Sequence, residues 1–121
     1  MIYIPKLLIA FVALEHFYIL YLEMFAWTTK GPHTFKSFPK DLFEKTKGMA
    51  ANQGLYNGFL AAGLVWSLCI IDALWSFYVA VYFLSCILIA GIYGAVTVQK
   101  TIFYVQAVPA IITLIAIHLI R

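Results

Sequence analysis

The sequence predicts an all-α membrane protein, an antiparallel up-and-down bundle of four transmembrane helices. Its composition is the first reason: of 121 residues, 64% are hydrophobic and only 11% are charged. Soluble domains have about 45–50% apolar and about 25% charged residues. A domain this small cannot hide so many apolar side chains from water. The second reason is that the apolar residues form four long continuous runs, so the expected solvent is a lipid bilayer.

Each of the four runs is long enough to be one membrane span. A helix needs about 20 residues to cross ~30 Å of hydrocarbon. The connections between the later runs are so short that neighbouring helices must be antiparallel. The sequence therefore predicts one transmembrane domain, residues 1–121, with spans at about residues 4–27, 48–71, 75–98 and 101–120.

Charge is concentrated in the one long connection, residues 28–47, which holds five of the eight basic residues. Lys100 lies on the same side of the expected bundle, whereas the opposite side has only Lys6 and Arg121. Loops rich in Lys and Arg stay in the cytoplasm. This asymmetry predicts that the long loop is cytoplasmic and that both termini lie outside. The clustering also argues against a nucleic-acid partner, despite a net charge of +3.

Local signals give expectations for the loop and the helix ends. Residues 41–44 (DLFE) match a capping box, which would begin the second helix there. Trp27 and the loop phenylalanines are expected at the level of the lipid headgroups. Pro109 is expected to kink the fourth helix near Val105, whose carbonyl loses its partner.

Ionisable residues inside the first span are the most informative feature of the sequence. Glu15, His16 and Glu23 share one sector of the helix, within about 100° at 100° per residue. A charged carboxylate inside the bilayer costs ~2.5–3.5 kcal/mol, so it needs a partner or a proton. Glu15 and His16 are adjacent and point in different directions, so they do not form a chelating pair. The sequence has no spacing typical of a metal site.

Further polar residues are expected at a matching depth, in the cytoplasmic half of the other spans. Such residues often serve only as hydrogen-bonding contacts between membrane helices. Grouped with the ionisable residues, they predict a polar pocket that opens towards the cytoplasm. The candidate ligand-binding residues are Glu15, His16, Glu23, Asn52, Gln53, Tyr56, Asn57, Tyr93 and Gln106.

Small residues predict where helices approach closely. The second span contains Gly54, Gly58 and Ala62 at four-residue spacing, and the third contains Gly91 and Gly94 at a similar depth. Small residues at such spacing allow close contact between membrane helices. The two faces could pack on each other within one chain, or they could form a dimer. The pattern does not choose between these alternatives.

Four stretches of the sequence are distinctive when taken together with Gln106 and Pro109: residues 13–18 (ALEHFY), 21–29 (YLEMFAWTT), 50–63 (AANQGLYNGFLAAG) and 90–95 (AGIYGA). Together they resemble the small bacterial integral-membrane family of domain of unknown function 1304. The resemblance covers nearly the whole chain and implies a bacterial inner-membrane protein with four spans. It implies no activity.

The leading functional hypothesis is binding or transport of a small polar solute, a cation or a proton through the pocket. In it Glu15 binds the proton or cation and His16 tunes or relays it. A bundle of this size is thin for a transport path, so this hypothesis implies a homo-oligomer, most simply a homodimer. One alternative is a membrane-embedded enzyme that acts on a lipid or an apolar small molecule, with His16 and a carboxylate as acid and base. Another is a structural or accessory subunit. The sequence identifies no catalytic residue and no cofactor.

Overall fold

The structure, a computed structural model, describes residues 3–120; its regular elements are all helices, with no strand in that range. It confirms the predicted all-α helical bundle. Arg121, one of the basic residues that were counted for the orientation, lies outside the described residues. The elements are α1 (Tyr3–Phe25), α2 (Gly31–Thr34), α3 (Leu42–Lys45), α4 (Lys47–Cys69), α5 (Ala73–Thr97), a π-helical turn (Phe103–Ala107) and α6 (Val108–Ile120).

Three segments are long and apolar enough to cross a membrane: α1, α5 and Phe103–Ile120, the π-helical turn with α6. These three segments support the prediction of a membrane protein. Helix α4 has 23 residues but is not one of the three, and its N-terminal half carries the side-chain amides of Asn52, Gln53 and Asn57. The amides lower the apolar character of α4, so the fourth span remains a prediction.

The chain divides into two compact units. Leu14–Ala61 form one, called here the loop unit, which includes the end of α1, the loop and the start of α4. The segments before and after it form the other, called here the C-terminal unit. Each unit has helix contacts of its own.

Within the C-terminal unit, a short connection joins α4 to α5. Asp72 caps α5 by accepting a hydrogen bond from the Trp75 N–H at 2.9 Å. Ser76 Oγ donates to the backbone oxygen of Ser67 at 2.6 Å, which holds the end of α4 beside the start of α5. Such a cap satisfies backbone groups that a helix end otherwise leaves open.

Close packing joins α5 to the last helical segment. A Cβ atom at Gly91 would lie 2.8 Å from the backbone nitrogen of Ala107, and one at Gly94 would lie 2.9 Å from Ile102 Cγ2. Leu84 and Ile87 of α5 are completely buried. The glycines therefore let the two backbones approach to a distance that no larger residue would allow.

The irregularity expected at Pro109 takes the form of a π-helical turn instead of a simple bend. This turn ends just before Pro109, and the Val108 N–H donates to the Phe103 oxygen. Because proline has no N–H, Pro109 cannot donate the backbone hydrogen bond that other residues inside a helix donate to the preceding turn. A π-helical turn is one of the recognised ways in which a helix accommodates such a break.

The predicted capping box is wrong. Residues 42–45 form the separate short helix α3, and α4 begins only at Lys47. Asp41 has a helical backbone (φ −71°, ψ −17°) and makes no side-chain capping bond. An N-cap residue needs a non-helical backbone to reach the following N–H groups. Glu44 instead forms an exposed ion pair with Lys47, with 2.7 Å between Oε1 and Nζ.

Aromatic side chains fold the loop into a compact cluster, called here the aromatic cluster: Trp27, Phe35, Phe38 and Phe43. The ring centroid of Trp27 lies 4.9 Å from that of Phe43, 5.4 Å from that of Phe35 and 5.9 Å from that of Phe38. Phe43 is only 2% exposed. Trp27 Nε1 also donates to Thr46 Oγ1 at 3.0 Å. The expectation of separate side chains at the headgroup level missed this mutual packing.

Each of the two predicted glycine faces has a close partner within its own unit. Gly54 and Gly58 face α1, where a Cβ at Gly54 would lie 2.8 Å from Met24 Cγ and one at Gly58 would overlap Leu20. Gly91 and Gly94 face the last helical segment instead. The helical periodicity identified both close contacts but not their partners, because spacing along one helix carries no information about its neighbour.

Substitution of glycines tests the close contact of α5. Gly91→Ala should lower the free energy of unfolding by about 1–3 kcal/mol, because the new methyl group meets backbone atoms that cannot move aside. Gly48→Ala is the matched control, since nothing lies within 4 Å of its Cβ position. It should be neutral or stabilise helix α4 by up to about 1 kcal/mol. Thermal unfolding in detergent gives both values, and equal stability of the two variants would contradict the described packing.

The aromatic cluster predicts that Trp27 restrains the loop. Trp27→Ala should make trypsin cleave after Lys36 and Lys40 several times faster, because removal of the central ring favours local unfolding. The control is Trp66→Ala, since Trp66 on α4 is 57% exposed. Unchanged loop cleavage in Trp27→Ala would show that the loop is held by other contacts.

Candidate functional site

A buried carboxylate between two amides is the best-defined polar site in the loop unit. Gln53 Nε2 donates to Glu23 Oε2 at 2.7 Å, and Asn57 Nδ2 donates to Glu23 Oε1 at 2.7 Å. Glu23 is 4% exposed and Asn57 7%. Each carboxylate oxygen therefore has one amide donor. We call these three residues the carboxylate–amide site.

Local sequence explains this geometry. Gln53 and Asn57 are four residues apart, so they lie on neighbouring turns of one face of α4. Gly54 lies between them, and a Cβ atom there would be 3.0 Å from Glu23 Cβ and 3.2 Å from the backbone oxygen of Leu20. Because Gly54 has no side chain, α1 and α4 lie close enough for the amide side chains to reach the carboxylate.

Neutral donors surround the charge of Glu23. The ion pairs in the part of the chain that the structure describes are Glu15–His16 and Lys47–Glu44, and neither involves Glu23. A carboxylate has about four acceptor positions, and the two amides occupy two of them. The site can therefore accept a proton or a positively charged group without losing its present hydrogen bonds.

Glu15 and His16 lie about two turns along α1 from Glu23. His16 is completely buried, and its Nδ1 lies 3.8 Å from Glu15 Oε1. Glu15 Oε1 is buried and has no hydrogen-bond partner among residues 3–120. Eight residues separate Glu15 from Glu23, a rise of ~12 Å. Glu15 and His16 thus share α1 with Glu23 but lie about two turns away from it.

The other candidate residues lie elsewhere. Asn52 and Tyr56 are exposed on α4, with Tyr56 58% exposed and its ring 5.8 Å from that of Phe59. Tyr93 on α5 is 70% exposed. Gln106 is half-buried in the π-helical turn, and Tyr93 and Gln106 both belong to the C-terminal unit. The hydrogen bonds join Gln53 and Asn57 to Glu23, and a role for the other four remains a prediction.

The groups at the site favour a hard cation, because the atoms they can offer to a cation are oxygens. Among residues 3–120, no three His, Cys, Asp or Glu residues come together as potential metal ligands. Glu23 offers one carboxylate, and the amides offer carbonyl oxygens if their side chains turn. The sequence did not reveal the aromatic cluster, whose Trp27 lies two residues beyond the end of α1.

Comparisons with known proteins agree with the resemblance seen in the sequence. The family model described as "Protein of unknown function (DUF1304)" matches residues 10–118. The chain is 34% identical over 107 residues to "Uncharacterized protein YpaA" of Lactococcus lactis subsp. lactis (strain IL1403), a match that covers 87% of this chain and 88% of that protein. No solved structure matches significantly. The chain therefore belongs to the DUF1304 family.

Proposed function

We propose that the protein binds a proton or a small cation at the carboxylate–amide site and moves it through a polar pocket open to the cytoplasm. One observation carries this proposal: Glu23 is 4% exposed and receives hydrogen bonds only from neutral amides among its described contacts. A buried carboxylate that is ionised needs more compensation than two neutral donors supply. A bound proton or cation supplies the remainder.

The amides of Gln53 and Asn57 suit a site at which a proton and a cation exchange. Each has an N–H₂ donor and a carbonyl acceptor. With the N–H₂ groups turned to Glu23, as in this structure, they stabilise an ionised carboxylate. Turned by half a rotation, they present oxygen atoms to a protonated carboxyl or to a cation. Asn57 Nδ2 also donates to the backbone oxygen of Gln53 at 3.2 Å, so a turn of its amide exchanges that bond as well.

Glu15 and His16 extend the proposal along α1. His16 and Glu15 lie deeper in the expected span than Glu23, and an imidazole can pass a proton between two of its partners. In this proposal Glu15 and His16 exchange the proton with Glu23 and so extend the proton path along α1 beyond the site. Ionisable residues within spans commonly mark such pathways.

The topology and assembly complete the proposal. The six-to-two distribution of Lys and Arg in the sequence supports a cytoplasmic loop and external termini. The resemblance to the family supports the bacterial inner membrane as the location. A homodimer would supply the second wall that so small a bundle lacks. The alternatives, a lipid-modifying enzyme and an accessory subunit, predict no release of protons when a cation is added.

Glu23→Gln tests the function. Purified protein in weakly buffered detergent solution should release about one proton per chain when NaCl or KCl is added, because the cation displaces the proton from Glu23. The variant should release none, because a side-chain amide does not exchange a proton near neutral pH. Choline chloride controls for ionic strength, and Glu44→Gln is the matched control because Glu44 is exposed. Equal release from parent and Glu23→Gln would contradict the proposal.

Cysteine labelling tests the orientation. In a variant without Cys69 and Cys86, an impermeant reagent outside intact cells should label a cysteine added after residue 121. It should not label Thr34→Cys in the loop until the membrane is opened, because the positive loop stays inside. The reverse pattern of labelling would refute the predicted orientation.

A further inference from the structure

A groove lies in the C-terminal unit where α5 ends and the last helical segment begins. Its volume is about 410 Å³, and it is open on one side. Its lining consists of Ala95, Val96, Lys100, Phe103 and Tyr104. None of these residues belongs to the carboxylate–amide site, so a ligand of the groove is independent of the proposed function.

The shape of the groove follows from the helix packing. Gly91 and Gly94 hold α5 against the last segment on one side. On the neighbouring side Ala95 and Val96 present small side chains, and the π-helical turn carries Phe103 and Tyr104. These two rings pack edge to face, with centroids 5.6 Å apart and planes at 90°. The two rings thus supply the aromatic part of the lining, and Ala95 and Val96 supply the aliphatic part.

Charge at the groove has a single sign. Lys100 is exposed, and it is the only Lys, Arg, Asp or Glu in residues 73–120. The remaining lining is apolar or aromatic. A positive group at the end of an apolar groove matches a molecule with an anionic head and a hydrocarbon tail. Both flanking segments are apolar enough to cross a membrane, so such a molecule is available in the bilayer itself.

We infer that this groove, between Lys100 and the rings of Phe103 and Tyr104, binds an anionic phospholipid. The lipid phosphate lies against the Lys100 ammonium, and one acyl chain lies along Ala95, Val96 and Phe103. The Tyr104 ring bears an apolar body and a polar hydroxyl, as is usual at the boundary between headgroups and hydrocarbon. A zwitterionic lipid brings its own amine to the phosphate and gains less from Lys100.

The test measures which lipids the whole protein retains. The protein is incubated with vesicles of equal parts phosphatidylglycerol and phosphatidylethanolamine, and native mass spectrometry reports the ratio of the two lipids bound. The parent should be enriched in phosphatidylglycerol. Lys100→Gln should lower the enrichment about fivefold, the factor expected for one lysine beside an anionic lipid. Lys40→Gln, which removes an exposed charge elsewhere in the chain, should leave it unchanged.

Two further measurements separate the groove from charge alone. Ala95→Trp fills the groove but keeps Lys100, and should lower phosphatidylglycerol retention as Lys100→Gln does. Added inorganic phosphate should not displace the lipid, because it lacks an acyl chain. An unchanged lipid ratio in Lys100→Gln would overturn the inference. So would an equal loss in Lys40→Gln, or displacement of the lipid by inorganic phosphate.

Discussion

The contact between Glu23 and its two amides is the constraint on which the loop unit depends. A carboxylate near the end of an apolar helix is costly unless donors reach it. Gln53 and Asn57 reach it only because Gly54 lets the backbones of α1 and α4 approach closely. The need to satisfy one buried charge thus fixes the register of these two helices. It also explains why α4 carries enough amides to be less apolar than the other long helices.

The aromatic cluster follows this contact along the chain, just after the end of α1. Trp27 follows Glu23 by four residues, and its ring packs on Phe43 while its N–H donates to Thr46 shortly before α4 begins. The segment that connects α1 to α4 is therefore held at both ends. This packing, with the carboxylate–amide contact, gives the loop unit two separate reasons to hold its helices in one register. A change in the occupant of the site would therefore affect the loop first.

Sequence reasoning succeeded where the signal is local to one helix. Hydrophobic runs predicted the long helices, and the helical angles placed Glu23, Gln53 and Asn57 among the candidates before any contact was known. It failed where the structure depends on which other segment of the chain a residue contacts. Gly54 and Gly91 were recognised as close contacts, but the pattern left their partners open; these are α1 for Gly54 and the last helical segment for Gly91. Asp41 matched a capping box whose backbone conformation the sequence could not supply. Asn52 and Tyr56 share a helix with the site, yet their faces leave them exposed.

Protonation of Glu23 is the central claim, and infrared difference spectroscopy measures it most directly. Spectra of the parent before and after addition of NaCl should show loss of a protonated-carboxyl band and gain of a carboxylate band, as the cation replaces the proton. The same difference should persist in Glu15→Gln and vanish in Glu23→Gln. A spectrum that is identical in the parent and in Glu23→Gln would contradict the account, because it would show that Glu23 keeps one state and serves only to join two helices.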